Sequence, residues 1–296
     1  MHTLRNRFLI YVPTLLCAVA ALGLHRYMME TCIDEWGLLI PGNLPGRLLW
    51  ALGIAFPAGL MLLLRTIGGE GSYADNFPRF LLGGCLMLSA GVVLLMNAKT
   101  VSLPPFPAMP VQTQGMSSAL SGFADGAMQV LPWLAGGSML VLGVYRMAGR
   151  RPHFLFSGSI CLFYMLMLVQ NYRRWSADPQ LHEYCFPLLA LVLLLLCSFH
   201  RTCCDAGIIQ RKKLLLTGLT AAVCSAGAIS SGFLPGFCLA SALWGAGCVC
   251  DPAVLPPDPE PKPAGPETEN EAGTENAVLR RYPFCRQLRP HGSSRR

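Results

Sequence analysis

The sequence predicts an all-α, polytopic integral membrane protein of about eight transmembrane helices, followed by a disordered C-terminal tail. Three observations predict it. Of 296 residues, 53% are hydrophobic and only 13% are charged, against about 25% charged in soluble globular domains. Eight stretches are apolar for the roughly 20 residues that a helix needs to cross a bilayer core about 30 Å thick. All 23 Lys and Arg fall outside the centres of those stretches. The charges are too few to cover one or two soluble domains, and the chain is too apolar to be disordered throughout. Lipid offers no partners to backbone N–H and C=O, and the runs lack the alternation of barrel strands, so helices are the form they take.

Residues 1–250 make the membrane domain and residues 251–296 a cytoplasmic tail. The first span, about 8–25, follows Arg5 and Arg7. Its apolar run and Ala18-Val19-Ala20 also fit a secretory signal peptide with a cleavage site, which leaves seven spans. Cys17 lacks the preceding small residue that a lipoprotein signal needs. The second and third spans are about 46–64 and 80–98. The fourth, about 126–145, is the weakest, because Pro132 and Gly136-Gly137 interrupt it. The fifth is about 153–171. The sixth, about 184–200, contains LLALVLLLL and, with the third, is the least ambiguous. The seventh and eighth, about 214–231 and 233–250, are separated by little more than Ser231-Gly232 and so form a tight helical hairpin.

With the N-terminus in the cytoplasm, the inside segments hold 11 bases: Arg5, Arg7, Arg65, Arg79, Arg146, Arg150, Arg151, Arg201, Arg211, Lys212 and Lys213. The outside loops hold 5: Arg26, Arg47, Lys99, Arg173 and Arg174. The positive-inside rule favours this orientation, and eight spans return the C-terminus to the cytoplasm of a cell (inner or plasma) membrane. The longest outside loop, about Lys99 to Asp125, starts Pro-rich and carries almost no charge. Residues 251–276 hold seven acids, one lysine and many prolines, which reads as disordered. Residues 277–296 hold six arginines and no acid, a composition suited to anionic lipid or to a plain solvated tail. The first 250 residues contain 16 bases and 9 acids, so the net charge of +7 lies wholly in the membrane part. It records loop placement and is no sign of nucleic-acid binding. A duplication of four spans is suggested by His200-Arg201-Thr202 before Asp205-Ala206-Gly207, which echoes Arg65-Thr66 before Gly68-Gly69-Glu70.

The span centres hold no Asp, Glu or His. Ionisable groups in lipid are costly and mark proton relays, ion sites or catalysis. Their absence argues against a proton-coupled transporter, a voltage sensor and an intramembrane metalloprotease; no H-E-x-x-H occurs. The segment Asn171 to Tyr184 is richest in polar chemistry and is the candidate ligand-binding patch, with Arg173, Arg174, Trp175, Asp178, His182 and Glu183. The competing reading is structural: Asp178-Pro179 as N-cap and first helical residue, with Tyr172, Trp175 and Tyr184 in the interfacial aromatic belt. No catalytic residue, metal site or cofactor is expected. Cys17, Cys85, Cys161, Cys197, Cys224 and Cys238 sit in spans as small apolar residues. Cys203-Cys204 and Cys248-x-Cys250 share the inner edge with His200 but lack C-x-x-C spacing. Cys32 and Cys185 share the outer side, where geometry decides whether they pair. Gly68-Gly69-Glu70-Gly71 lacks the Lys-Ser/Thr of a phosphate loop and reads as a turn. Small residues four apart (Ala221/Ser225, Ala222/Ala226, Gly236/Ala240, Ser241/Gly245) suit close packing in the last hairpin. Gln129, Ser157, Ser159, Gln170, Thr217 and Thr220 are uncharged hydrogen-bonders that fit either a solute path or helix-to-helix bonds.

The run YRRWSADPQLHEYCFPL from Tyr172 to Leu188, the apolar run after it and Asp205-Ala206-Gly207 resemble a group of uncharacterised multi-span membrane proteins of Gram-positive gut bacteria. The resemblance implies a bacterial membrane and a similar layout of spans, and it carries over no activity and no site. Three functions follow in order. The first is a non-enzymatic accessory or assembly component, whose partners are the lipid bilayer and a protein within the membrane. The second is a permease for a neutral or amphipathic solute. The third is a membrane-embedded enzyme.

Overall fold

The computed structural model describes residues 2–32, 40, 42–65, 77, 79–102, 118–175, 181–231 and 234–249; the side chains of 2–9, 102, 118–125, 173–175 and 181–185 lie outside that description. The tail, Gly68–Gly71 and residues 103–117 of the long third loop lie outside it as well. The described elements are helices, without a strand among them: α1 (His2–Thr31), α2 (Leu44–Arg65), α3 (Leu81–Met96), α4 (Ala98–Ser102), α5 (Ser118–Ala148), α6 (Phe154–Trp175), α7 (Leu181–Ala206), α8 (Arg211–Ala228), a 3-10 turn (Ile229–Ser231) and α9 (Pro235–Val249).

Six helices contain stretches long and apolar enough to cross a membrane: Ile10–Thr31, Leu44–Arg65, Gly126–Ala148, Phe154–Tyr172, Phe186–Ala206 and Arg211–Ser231. Two expected spans are shorter than expected. α3 has 16 residues and α9 has 15, about 24 and 22 Å of helix. α3 stops at Asn97, whose backbone N–H is shared between Val93 O (3.1 Å) and Leu94 O (3.2 Å) and whose side chain donates to Val93 O (2.8 Å); α4 resumes after that tightened turn. α9 cannot start earlier than the turn at Leu234, which sits at φ +40 before Pro235.

The stretch expected to be weakest is one of the longest helices. α5 runs through Pro132, Gly136 and Gly137 for 31 residues. α1, α2 and α7 likewise contain Pro13, Pro57 and Pro187. Neighbouring helices support such interruptions in apolar surroundings. Gly136 marks a crossing. A methyl group on Gly91 would stand 2.9 Å from Gly136 O, and one on Gly143 would stand 2.9 Å from Gly84 O. The two glycine pairs are seven residues apart on antiparallel helices, so α3 and α5 touch along one heptad seam. α8 and α9 meet in the same way, with a Gly245 methyl 3.0 Å from Gly218 O. The expected tight final hairpin is present, but α9 spends its small residues on two partners, because Gly236 abuts Asn97 and Gly247 abuts Met87 of α3.

The packing follows chain order. α3 lies on α5, α5 on α6, α6 on α7, α7 on α8, α8 on α9, and α9 returns to α3. Three successive hairpins (α3/α5, α6/α7 and α8/α9) therefore close a six-helix ring. α1 and α2 form an outer layer attached mainly through α8, around Ala21, Met28, Leu49, Phe186, Val223 and Cys224. The ring centre is filled. Phe163 and Tyr164 from the middle of α6 meet Phe237 of α9, with centroids 6.1 Å apart in each case. Tyr164 OH and Ser241 Oγ are 3.3 Å apart, and Trp244, fully buried, donates from Nε1 to Ser198 Oγ of α7 at 3.1 Å.

Candidate functional site

Among the described residues, the buried charged side chains gather at one end of the ring, where α5 and α7 finish and α3, α6 and α8 begin. Arg201 and Asp205 are four apart on α7 and therefore share a helix face. Arg201 Nη2 lies 3.2 Å from Asp205 Oδ1, and Arg201 Nε donates to Asp205 Oδ2 at 3.3 Å. Both side chains are sealed from solvent, at 1% and 0% exposure. The ring of Phe77, two residues before Arg79, stacks with two guanidiniums. Arg201 Cζ is 4.8 Å and Arg146 Cζ is 4.9 Å from its centroid. Arg146 and Arg211 are buried too.

These charges were expected in solvated loops, on spans that end near Tyr145 and His200. The helices run further, to Ala148 and Ala206, which carries Arg146, Arg201 and Asp205 into the bundle. An acid in a last helical turn opposes the helix dipole, at about 0.3–1 kcal/mol; Arg201 offsets that for Asp205. Both helices end alike. Gly149 N donates to Arg146 O (3.2 Å) and Arg150 N to Tyr145 O (3.0 Å). Gly207 N donates to Cys204 O (3.1 Å) and Ile208 N to Cys203 O (2.8 Å). These are paired Schellman motifs, with Gly149 at φ +68 and Gly207 at φ +105, a conformation that glycine adopts at no steric cost. An arginine from the start of each hairpin then staples its end. Arg79 Nε donates to Met147 O at 3.0 Å, and Arg151 Nε to Asp205 O at 2.9 Å. The third hairpin is closed from outside the ring, by Tyr11 OH donating to Val249 O at 2.8 Å.

Chemically, the arrangement holds charge in place. Asp205 meets Arg201 with both of its oxygens. Among the described residues, no group of three or more His, Cys, Asp and Glu is arranged to hold a metal. Cys204 is buried and Cys203 partly so, each with a free thiol. Cys32 carries a free thiol, and the side chain of Cys185 lies outside the described residues.

The loop-borne candidates sit elsewhere. Arg173, Arg174 and Trp175 end α6, and His182 and Glu183 belong to the first turn of α7. The backbone thus brings five of the six to one end of the α6/α7 hairpin, opposite the ion pair. Their side chains, and Asp178 altogether, lie outside the described residues. The uncharged polar residues do not converge. Ser157, Thr217 and Thr220 donate to carbonyls of their own helices. Ser159 and Ser138 join α6 to α5 at 2.8 Å, and Gln129 is exposed. Sequence reading missed Phe77, Arg146, Arg201 and Asp205; the i, i+4 spacing of Arg201 and Asp205 was a legible signal once α7 is extended. It also placed His25 at a span edge, whereas that residue is buried, donates from Nδ1 to Gly227 O at 2.7 Å and lies against Phe186. No family model matches the chain, and no curated protein and no solved structure matches it.

Proposed function

We propose that this chain is a non-enzymatic integral membrane protein that acts as an accessory or assembly component, crossing a bacterial cell membrane eight times with both termini in the cytoplasm. The observation that carries the reading is the filled ring. A solute path needs a continuous polar cavity at the midplane, and here Phe163, Tyr164, Phe237 and Trp244 interlock at that depth. Ser157, Thr217 and Thr220 bond to carbonyls of their own helices, and Ser159, Tyr164 and Trp244 bond to side chains of neighbouring helices. The α1–α2 layer supports a partner role. It lies on one flank of the ring and presents Leu15, Leu16, Val19, Ile54, Met61 and Leu62 outward, a face for lipid or another helix. Eight crossings are consistent with α3 and α9 as short spans, since α3 continues through Asn97 into α4. The excess of bases on the side where α5 and α7 end supports a cytoplasmic placement of that side.

The test is reconstitution of the full chain into liposomes, with parallel in-membrane photo-crosslinking from Val19 and Leu62. The expected results are glycerol, sugar and sodium fluxes equal to those of empty liposomes, and a crosslink to one discrete membrane protein. Saturable flux of any of these solutes would overturn the reading in favour of a permease. Carbonate extraction of native membranes checks the embedding itself, and the chain is expected to stay with the lipid.

A further inference from the structure

We propose that the stapled end of the ring is a binding surface for anionic phospholipid headgroups. Arg79, Arg150 and Arg151 form one arc around the turn at Gly149. Arg79 Cβ lies 3.0 Å from where a Gly149 methyl would be, Arg150 and Arg151 follow Gly149 directly, and Arg151 reaches across to Gly207, where its Nη2 is 2.9 Å from the corresponding methyl position. All three arginines are exposed, as is Lys213 in the next helix. Arg79 and Arg151 are fixed by their Nε atoms to Met147 O and Asp205 O. Their guanidinium planes are thus held in place, and binding costs them less side-chain entropy than it costs a free arginine.

Among the described residues at this end, positive charge exceeds its counter-charge. Asp205 is the one acid among the described residues there, and it is buried against Arg201. The arc also lies at the right depth for a headgroup. Val144, Tyr145, Phe154, Leu155 and Ile208 flank it as exposed apolar side chains, so acyl chains can cover them while phosphate meets the guanidiniums. Arginine recognises a phosphate with paired N–H donors, and basic clusters at this edge of a helix bundle suit anionic lipid over zwitterionic lipid.

The inference rests on the membrane-embedded reading and is tested separately from it. The full chain in detergent is titrated with dioleoylphosphatidylglycerol or dioleoylphosphatidylcholine, and lipid retention is read by native mass spectrometry and thermal unfolding. The expected result is a clear preference for phosphatidylglycerol that fades with added salt. Each neutralised arginine should weaken that preference about five-fold. R79Q/R151Q tests the stapled pair, and R150Q/K213Q leaves both staples intact and tests the same surface if the first variant does not fold. Equal retention of the two lipids, or an undiminished preference in R150Q/K213Q, refutes the proposal. Equal stabilisation by inorganic phosphate assigns the surface to a soluble anion and also refutes it. A chain that leaves the membrane in carbonate defeats the membrane reading, whereas one that stays but does not discriminate between the lipids defeats only this inference.

Discussion

Asp205→Asn is the sharpest perturbation of the buried site. The substitution keeps the shape of the side chain and one acceptor oxygen, and it removes the charge that faces Arg201. Two charge-assisted hydrogen bonds, at 3.2 and 3.3 Å, depend on that charge. Those lengths are at the long end of the range, so each is worth about 1.5 kcal/mol. The larger effect is what remains, a guanidinium at 1% exposure without its counter-charge. Breaking a buried pair from one side costs about 3–5 kcal/mol. Replacing both partners by R201M/D205L removes the stranded charge, and its remaining cost is the absence of stacking on Phe77, about 1 kcal/mol. Arg201 and Asp205 should therefore couple by at least about 2 kcal/mol in a double-mutant cycle. Unfolding in mixed micelles, followed by far-UV circular dichroism, measures D205N and the cycle of the parent, R201M, D205L and R201M/D205L. If D205N loses less than about 1 kcal/mol, or the double variant loses the sum of the singles, the pair does not anchor the end of α7.

Gly143→Ala places a methyl 2.9 Å from Gly84 O and should cost about 1–3 kcal/mol, while Gly137→Ala, with nothing within 4 Å, should be neutral or stabilise by about 0.5 kcal/mol; the same unfolding assay separates them, and equal effects would contradict the heptad seam. His25→Phe leaves Gly227 O without its 2.7 Å partner and should cost about 1 kcal/mol or more, read as weaker protection of α1 from proteolysis. A membrane-impermeant maleimide should add label to R47C over the parent in intact cells, and to R150C over the parent only after permeabilisation; the reverse pattern inverts the orientation.

The apolar runs were legible because a span is a local property, a length of sequence without charge. The helix ends were not, because an extra turn that carries Arg146 or Arg201 gains its stability from a neighbour. Arg201 needs Asp205, and Arg146 needs Phe77, which is distant in sequence. Gly136 shows the same limit. Taken alone it weakens a helix, and only the position of Gly91 on α3 turns it into a contact. Asn97 worked in the opposite direction, shortening the run that looked least ambiguous by folding its own side chain onto Val93 O. The candidate ligand patch was chosen by density of polar residues. The charges that the fold actually buries are sparse in sequence and are joined only when α3, α5 and α7 close on one another.

The basic residues that predict orientation are also parts of the architecture, and the two roles can be separated. Any positive charge near a helix end supplies the positive-inside signal. The staples demand more, a donor at the Nε position, which in Arg79 and Arg151 points back to Met147 O and Asp205 O while the rest of the guanidinium projects outward. Lysine carries the charge on a single terminal nitrogen and cannot do both. The variant R79K/R151K should therefore insert in the same orientation as the parent, with the same maleimide pattern, yet forfeit the exposed bond to Met147 O and the part-buried bond to Asp205 O at about 1 kcal/mol each. The destabilisation should concentrate at the ends of α5 and α7, where hydrogen exchange of Arg150 and Ile208 amides reports whether each Schellman turn holds. An unchanged exchange rate at both amides would mean that the arginines serve orientation alone and that the glycine turns close these hairpins without them.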